Sequence, residues 1–211
     1  MRLVMISDTH GRHQELSVPD GDLLIHSGDF SSGKCWDELT EFADWLHSQP
    51  HQHKLLIAGN HDLLLESFPE DGRALFAGWA TYLQDEACQL EGISIYGSPW
   101  TPRFFDFAFM LERGEPLAER WARIPATTQL LITHGPPQGL GDLTSLGTHA
   151  GCEALADRLP FLPELKLHVF GHIHEGYGSF PASGRRAYAS INASSCRWAD
   201  PGLNPPLVWD W

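Results

Sequence analysis

Leu3-Val4-Met5-Ile6-Ser7-Asp8-Thr9-His10 decides how the rest of the chain is read. A short apolar, partly β-branched run reads as a buried strand. The carboxylate and imidazole that follow it are two residues apart, so in extended chain both point to the same side. Outward along the chain the pattern recurs. Leu23-Leu24-Ile25 leads to Gly28-Asp29, and Leu55-Leu56-Ile57 leads to Gly59-Asn60-His61-Asp62. Leu130-Leu131-Ile132-Thr133 runs into His134-Gly135, and Leu167-His168-Val169-Phe170 into Gly171-His172-Ile173-His174. In open α/β sheets ligands gather at the carboxyl ends of strands, where all these polar residues fall.

Ile93-Ser94-Ile95-Tyr96 is a further strand, and residues 187–193 and 206–209 read as others. Nearly continuous apolarity predicts strands covered on both faces. Helices are expected over residues 36–47, 117–124 and 152–159; in the first, Trp36, Leu39, Phe42, Ala43 and Leu46 share one face. Such alternation argues an α/β or α+β layered fold. At 211 residues a single domain over 1–211 is expected. With 42% hydrophobic and 19% charged residues, disordered and collagen-like classes are excluded.

Acidic residues outnumber basic ones 27 to 14, and the net charge of -13 argues against a long nucleic-acid partner. Small anionic substrates stay open, because a bound metal reverses the local field. No run reaches the roughly 18 apolar residues of a membrane span. The first apolar stretch is too short for a signal peptide, so a cytoplasmic location is expected. Cys35, Cys88, Cys152 and Cys196 form no C-x-x-C pair and are expected to be reduced thiols.

Carboxylate, imidazole and amide ligands suit Mn, Fe, Co, Ni or Zn, whereas structural zinc prefers thiolates. Glycines before Asp29, Asn60 and His172 allow close backbone approach to an ion. His26 and His168, inside apolar runs, are read as buried structural or supporting histidines. His13, His47, His51 and His53, in polar surroundings, are read as solvated. His149 lies in a loop after His134 that could fold over the site and touch substrate. Residues 100–109 hold Trp100, Phe104, Phe105, Phe107 and Phe109 around Arg103. A hydrophobic cluster is the favoured reading; a base-stacking wall, with Arg103 on phosphate, is the alternative. Asn192 is either a turn residue or an amide facing the site.

In order, Asp8-Thr9-His10, Gly28-Asp29, Gly59-Asn60-His61-Asp62, His134 and Gly171-His172-Ile173-His174 resemble the motif blocks of the calcineurin-like metallophosphoesterase superfamily. Gly97-Ser98-Pro99-Trp100, Thr133 to Pro137, Phe170 to Gly178, Ile191-Asn192-Ala193-Ser194 and Asn204-Pro205-Pro206 are similar to its small metallophosphoesterase domain-containing members, related to class III cyclic-nucleotide phosphodiesterases. The resemblance implies a four-layer αββα sandwich with two divalent metal ions, Mn foremost. Asp8, His10 and His174 would hold one ion, Asn60, His134 and His172 the other, and Asp29 would bridge them. Asp29, Asn60 and His61 would be catalytic, His61 lying near the second ion and protonating the leaving group.

The implied activity is hydrolysis of small phosphodiesters, cyclic or simple nucleotides, by water activated between the ions. A phosphomonoesterase, a protein phosphatase, a non-catalytic scaffold and a histidine-rich metal buffer are the alternatives. Ser32 stands where many members carry the second aspartate of G-D-x-x-D, which leaves Asp62 or a backbone carbonyl to orient His61. The apolar residues of 203–211 could pair with a second subunit, as in a homodimer, or finish a sheet.

Overall fold

The computed structural model describes residues 1–211 apart from Lys34 and Arg185. Along β1 (Arg2–Ile6), Leu3 and Met5 turn to one side and Val4 and Ile6 to the other, and all four are buried. The remaining strands are β2 (Leu23–His26), β3 (His53–Leu56), β4 (Thr81–Tyr82), β5 (Glu86–Leu90), β6 (Ile93–Ser98), β7 (Thr101–Pro102) and β8 (Met110–Leu111), then β9 (Leu130–Thr133), β10 (Leu167–Phe170), β11 (Gly178–Phe180), β12 (Ala189–Asn192) and β13 (Leu207–Asp210). The helices are α1 (Trp36–Ser48), α2 (Leu63–Ser67), α3 (Pro69–Phe76), α4 (Glu115–Trp121) and α5 (Glu153–Arg158).

One sheet runs β13-β1-β2-β3-β4 and the other β11-β12-β10-β9-β6-β5, with β7 and β8 paired apart. Their central strands are parallel; the antiparallel partners β13, β11 and β5 lie at edges. Leu3, Met5 and Ile25 of the first sheet meet Leu130, Ile132, Val169 and Ile191 of the second in a shared apolar layer. The outer face of the first sheet, Val4, Ile6 and Leu24, packs on Leu39, Phe42 and Leu46 of α1 and Phe76 of α3. The outer face of the second, Tyr96 and Leu131, packs on Leu117 and Trp121 of α4 and Leu155 of α5. Helix, sheet, sheet and helix therefore make the expected four layers.

The predicted strands and α1 are present. α4 ends at Trp121, short of residue 124, and the Ile124 N–H then closes a turn on the Trp121 carbonyl ahead of Pro125. α5 passes at Leu159 into a 3₁₀ turn carrying Pro160. Sequence periodicity missed α2, α3, β4, β5, β7, β8 and β11. β5 is an edge strand on which only Cys88 and Leu90 reach the core, too short an apolar pattern to read as a strand. The C-terminal β13 finishes the first sheet, pairing Leu3 with Trp209 and Met5 with Leu207.

His13 and His51 depart from the solvated reading: both are buried. His13 lies against the rings of Phe42 and Trp45, and His51 Nε2 meets the Pro19 carbonyl. Local polarity did not report this, because the covering groups come from distant segments. His168 is buried as expected. The Thr133 hydroxyl donates to the Gly135 carbonyl, so it accepts from His168 Nε2–H at 2.8 Å, and Nδ1 has no partner among the described residues.

Burial holds the His168 pKa down to about 3, helped by nearby Arg186. Unfolded, it protonates near 6.5. Its contribution to stability is complete above that value and is lost as pH falls from about 6.5 towards 3. In urea unfolding of chelator-treated protein at pH 7 and pH 5, His168→Gln should shrink the loss between the two by about 2 kcal/mol. Equal losses in both proteins would refute this.

Candidate metal centre

Past the ends of β1, β2 and β10 the chain turns sharply. Asp8, His10, Asp29 and His172 hold φ of 51°, 43°, 57° and 68°, a left-handed region uncommon for residues with a Cβ. Each such residue costs about 1–3 kcal/mol and persists only where its surroundings fix it. Here the turns fix one another: Asp8 N–H donates to the Gly28 carbonyl at 2.9 Å, His10 N–H to Asp29 at 3.0 Å, and Gly171 N–H to His134 at 2.8 Å. A Cβ on Gly59 would run into Asp29 Oδ1, and one on Gly171 into Asp8 Oδ2. The close approach expected of these glycines is thus used against ligand-type side chains.

The five turns bring ligand-type atoms together. One atom each of Asp8, His10 and His174 lie within 4.8 Å of one another, as do those of Asp29, His134 and His172. Asp29 Oδ2 faces both sets, 3.8 Å from His10 Nε2 and 3.3 Å from His134 Nε2. Asn60 Oδ1 is 2.9 Å from His134 Nε2, His10 Nε2 is 3.4 Å from His174 Nε2, and Asp8 Oδ1 is 3.4 Å from His174 Nε2.

His134 Nδ1–H donates to the Ser27 carbonyl at 2.9 Å, so whenever the ring is neutral Nε2 carries only a lone pair. That lone pair faces two acceptor oxygens. Such convergence needs positive charge between the groups, and a carboxylate, imidazole and amide set suits a divalent cation. The field is already tuned. Burial alone would raise the Asp29 pKa, yet neighbouring His134 holds it far below the carboxylate range. Asp8 is likewise held low against burial by His174. Burial would lower His134, but Asp29 carries it up to about 9, while burial and His134 push His172 down to about 3.

Supporting groups hold the cluster in place. The Ser194 hydroxyl donates to Asp8 Oδ2 at 2.9 Å, and His172 N–H donates to both Asp8 oxygens. Asn192 is neither turn residue nor site-facing amide: it accepts from Ser194 N–H and donates to the carbonyls of Ile173 and Gly141. His26 accepts from Gly28 N–H at Nδ1, which leaves Nε2–H to donate to Thr9, so it is a supporting histidine as read. No spacing in the sequence marked Ser194, because it meets Asp8 from 186 residues away.

His61 joins His10 and Asp29: one ligand atom of each lies within 4.8 Å of the others. Its ring lies against His10, 4.8 Å between centroids, and against Phe107 at 4.7 Å. His61 N–H donates to Asp29 Oδ1 at 2.7 Å. Asp62 does not orient the ring: its oxygens accept from the N–H groups of Asp29, Gly59 and Ser31 and from the Ser31 hydroxyl. Nor does a backbone carbonyl hold the ring among the described residues. Packing does so, and Ser32 turns to Glu38 instead.

The remaining candidates stand apart from the cluster. Trp100 donates from Nε1 to Asp85 and lies under Arg120, in packing as the cluster reading had it. Arg103 is engaged by Glu112 at 2.7 Å and Asp106 at 3.4 Å. His149 Nδ1 meets buried Asp142 at 2.8 Å. None of the three shares a hydrogen bond, ion pair or ring contact with the ligand cluster among the described residues.

Residues 1–176 match the family model described as calcineurin-like phosphoesterase. The chain is 39% identical to metallophosphoesterase domain-containing protein 1 of Homo sapiens, covering 99% of this chain and 70% of that protein. It is 35% identical to UPF0046 protein C25E10.12 of Caenorhabditis elegans, covering 100% and 80%. In fold it is similar to TT1561 of Thermus thermophilus, with a TM-score of 0.64 at 11% identity over 90% of this chain and 88% of that one. With its strand-end ligand cluster and its match over most of its length, the chain belongs to the calcineurin-like phosphoesterase family.

Proposed function

We propose that this chain is a metal-dependent phosphodiesterase that hydrolyses small diesters, cyclic or simple nucleotides, at a dinuclear centre. The observation that carries the reading is Asp29 Oδ2, one oxygen that faces both imidazole sets. Asp8, His10 and His174 would hold one divalent ion, Asn60, His134 and His172 the other, with Asp29 between them; Mn is the first choice. Two bound cations supply charge that neutralises the phosphoryl oxygens and lowers the pKa of the attacking water.

The chain's own work is positional. Ser194 and the His172 N–H keep Asp8 aimed, and the Ser27 carbonyl presents His134 through Nε2. His61, only part-buried and packed between His10 and Phe107, is free to give a proton to the departing oxygen. A small diester fits better than a phosphoprotein, since Ser32 replaces the second aspartate typical of protein phosphatases and points to Glu38. All four cysteines are free, which accords with a reducing, cytoplasmic setting.

Chelator-stripped protein reloaded with Mn(II) should hydrolyse bis-p-nitrophenyl phosphate well ahead of p-nitrophenyl phosphate. Asp29→Ala should lower that rate by more than about 100-fold, since even groups that only support a ligand cost 10- to 100-fold. Preference for the monoester would convert the reading to a phosphatase, and inactivity towards both would leave a scaffold.

His61→Ala should keep the bound metal, measured by atomic absorption, and lose kcat in a way that depends on the leaving group. Proton donation is worth roughly 10²–10⁴-fold. An alkyl diester, with a poor leaving group, should lose most of that, and a p-nitrophenyl diester little. Equal losses on both would remove the acid role.

A further inference from the structure

Large exposed apolar side chains are costly unless something covers them. Exposed Phe161 and Trp198 make no ring pair among the described residues. Phe104 and Phe105 do: they are 61% and 73% exposed and touch each other, 4.3 Å between centroids. Phe105 continues to Phe107 at 6.4 Å, and Phe107 to His61 at 4.7 Å. Rings thus lead without a break from solvent to the edge of the ligand cluster.

The loop that carries them is held to the site. Ala108 N–H donates to the carbonyl of Asn60 at 3.0 Å, and Phe109 N–H to Glu66 at 2.8 Å. β7 and β8 close its two ends, and Phe104 N–H meets Met110 Sδ at 3.3 Å. Phe105 and Phe109 hold φ of 59° and 51°, strained backbone that persists only where the structure insists on it. Arg103, the one cation of the segment, is taken up by Glu112 and Asp106, so the exposed surface is aromatic rather than phosphate-binding.

We propose that Phe104, Phe105 and Phe107 form a stacking shelf for the planar base of the substrate, holding it while the phosphate lies at the cluster beyond His61. The proposal rests on the phosphodiesterase reading and adds to it the surface that would hold the nucleobase of a nucleotide diester. Faces of aromatic rings accept any base, so the shelf favours a planar group without selecting one base. Phe107 sets the spacing, because it lies against both Phe105 and His61.

The test is calorimetric titration of Mn(II)-loaded full-length protein with AMP and with ribose 5-phosphate, which differ only by the base. Wild type should bind AMP roughly 5- to 150-fold tighter, the range that one stacked base supplies. In Phe104→Ala/Phe105→Ala the ratio should fall to near one, with an unchanged urea midpoint as the check on folding, while Phe105→Trp should keep it. Equal affinities in wild type, alongside diester turnover, would overturn the shelf and leave the phosphodiesterase. Binding of neither compound, with no turnover, would overturn both. A preference untouched by the double variant, with loss of self-association in sedimentation, would assign the rings to an interface between copies and end the proposal.

Discussion

Buried acceptor oxygens that converge within a few ångströms need positive charge between them, and the geometry around Asp29 Oδ2 is built from such convergence. His10 Nε2 and His134 Nε2 both turn to that oxygen, and His134 also turns to Asn60 Oδ1. Burying a carboxylate without compensation costs several kcal/mol. Asp8 and Asp29 nevertheless stay ionised, because imidazoles surround them. Positive charge is therefore a structural requirement of the cluster, which divalent cations would meet more completely than protons. The left-handed turns at Asp8, Asp29 and His172 are the backbone's side of the same requirement.

The two-sheet architecture follows from how those turns must be placed. Asp8, Asp29 and Asn60 come from the first sheet and His134 and His172 from the second, so the cluster exists only where the sheets' strand ends meet. Apolar packing between the sheets sets their distance. Hydrogen bonds across the seam set their register there: Ser195 N–H donates to the Ser7 carbonyl at 2.7 Å, and Ser194 reaches Asp8. A shift of one strand by a residue would turn the supporting side chains to the opposite face.

Much of this was legible because burial and chemistry leave local marks. Continuous apolar runs exposed β1, β2, β9 and β10, and ligand-type residues directly after them marked the cluster. What stayed hidden depended on distant neighbours. An edge strand such as β5 sets only Cys88 and Leu90 against the core, too little to mark it. Ser194 is an ordinary serine until folding sets it against Asp8, and His13 has polar neighbours in sequence but lies between two aromatic rings. The sequence set His61 next to Asn60, and only the folded turn shows its ring against His10 and Phe107. Spacing reports which side chains share a strand end, and not which way a turn aims them.

On the proposed reading, charge bears on substrate size. A net charge of -13 repels a polyanion, yet a phosphate ester must reach the cluster. The arginines offer little help: Arg12, Arg103, Arg113 and Arg120 are each engaged by a carboxylate. Attraction would then be local, from the ions that the cluster would hold, and such a field falls off within about a Debye length, roughly 8 Å at physiological salt. A long nucleic acid would set most of its phosphates outside that radius, against an acidic surface, and gain from one of them only. A small diester places its whole charge inside it, and whatever further affinity it finds must come from uncharged contact. Beside His61, the described contacts of that kind are aromatic.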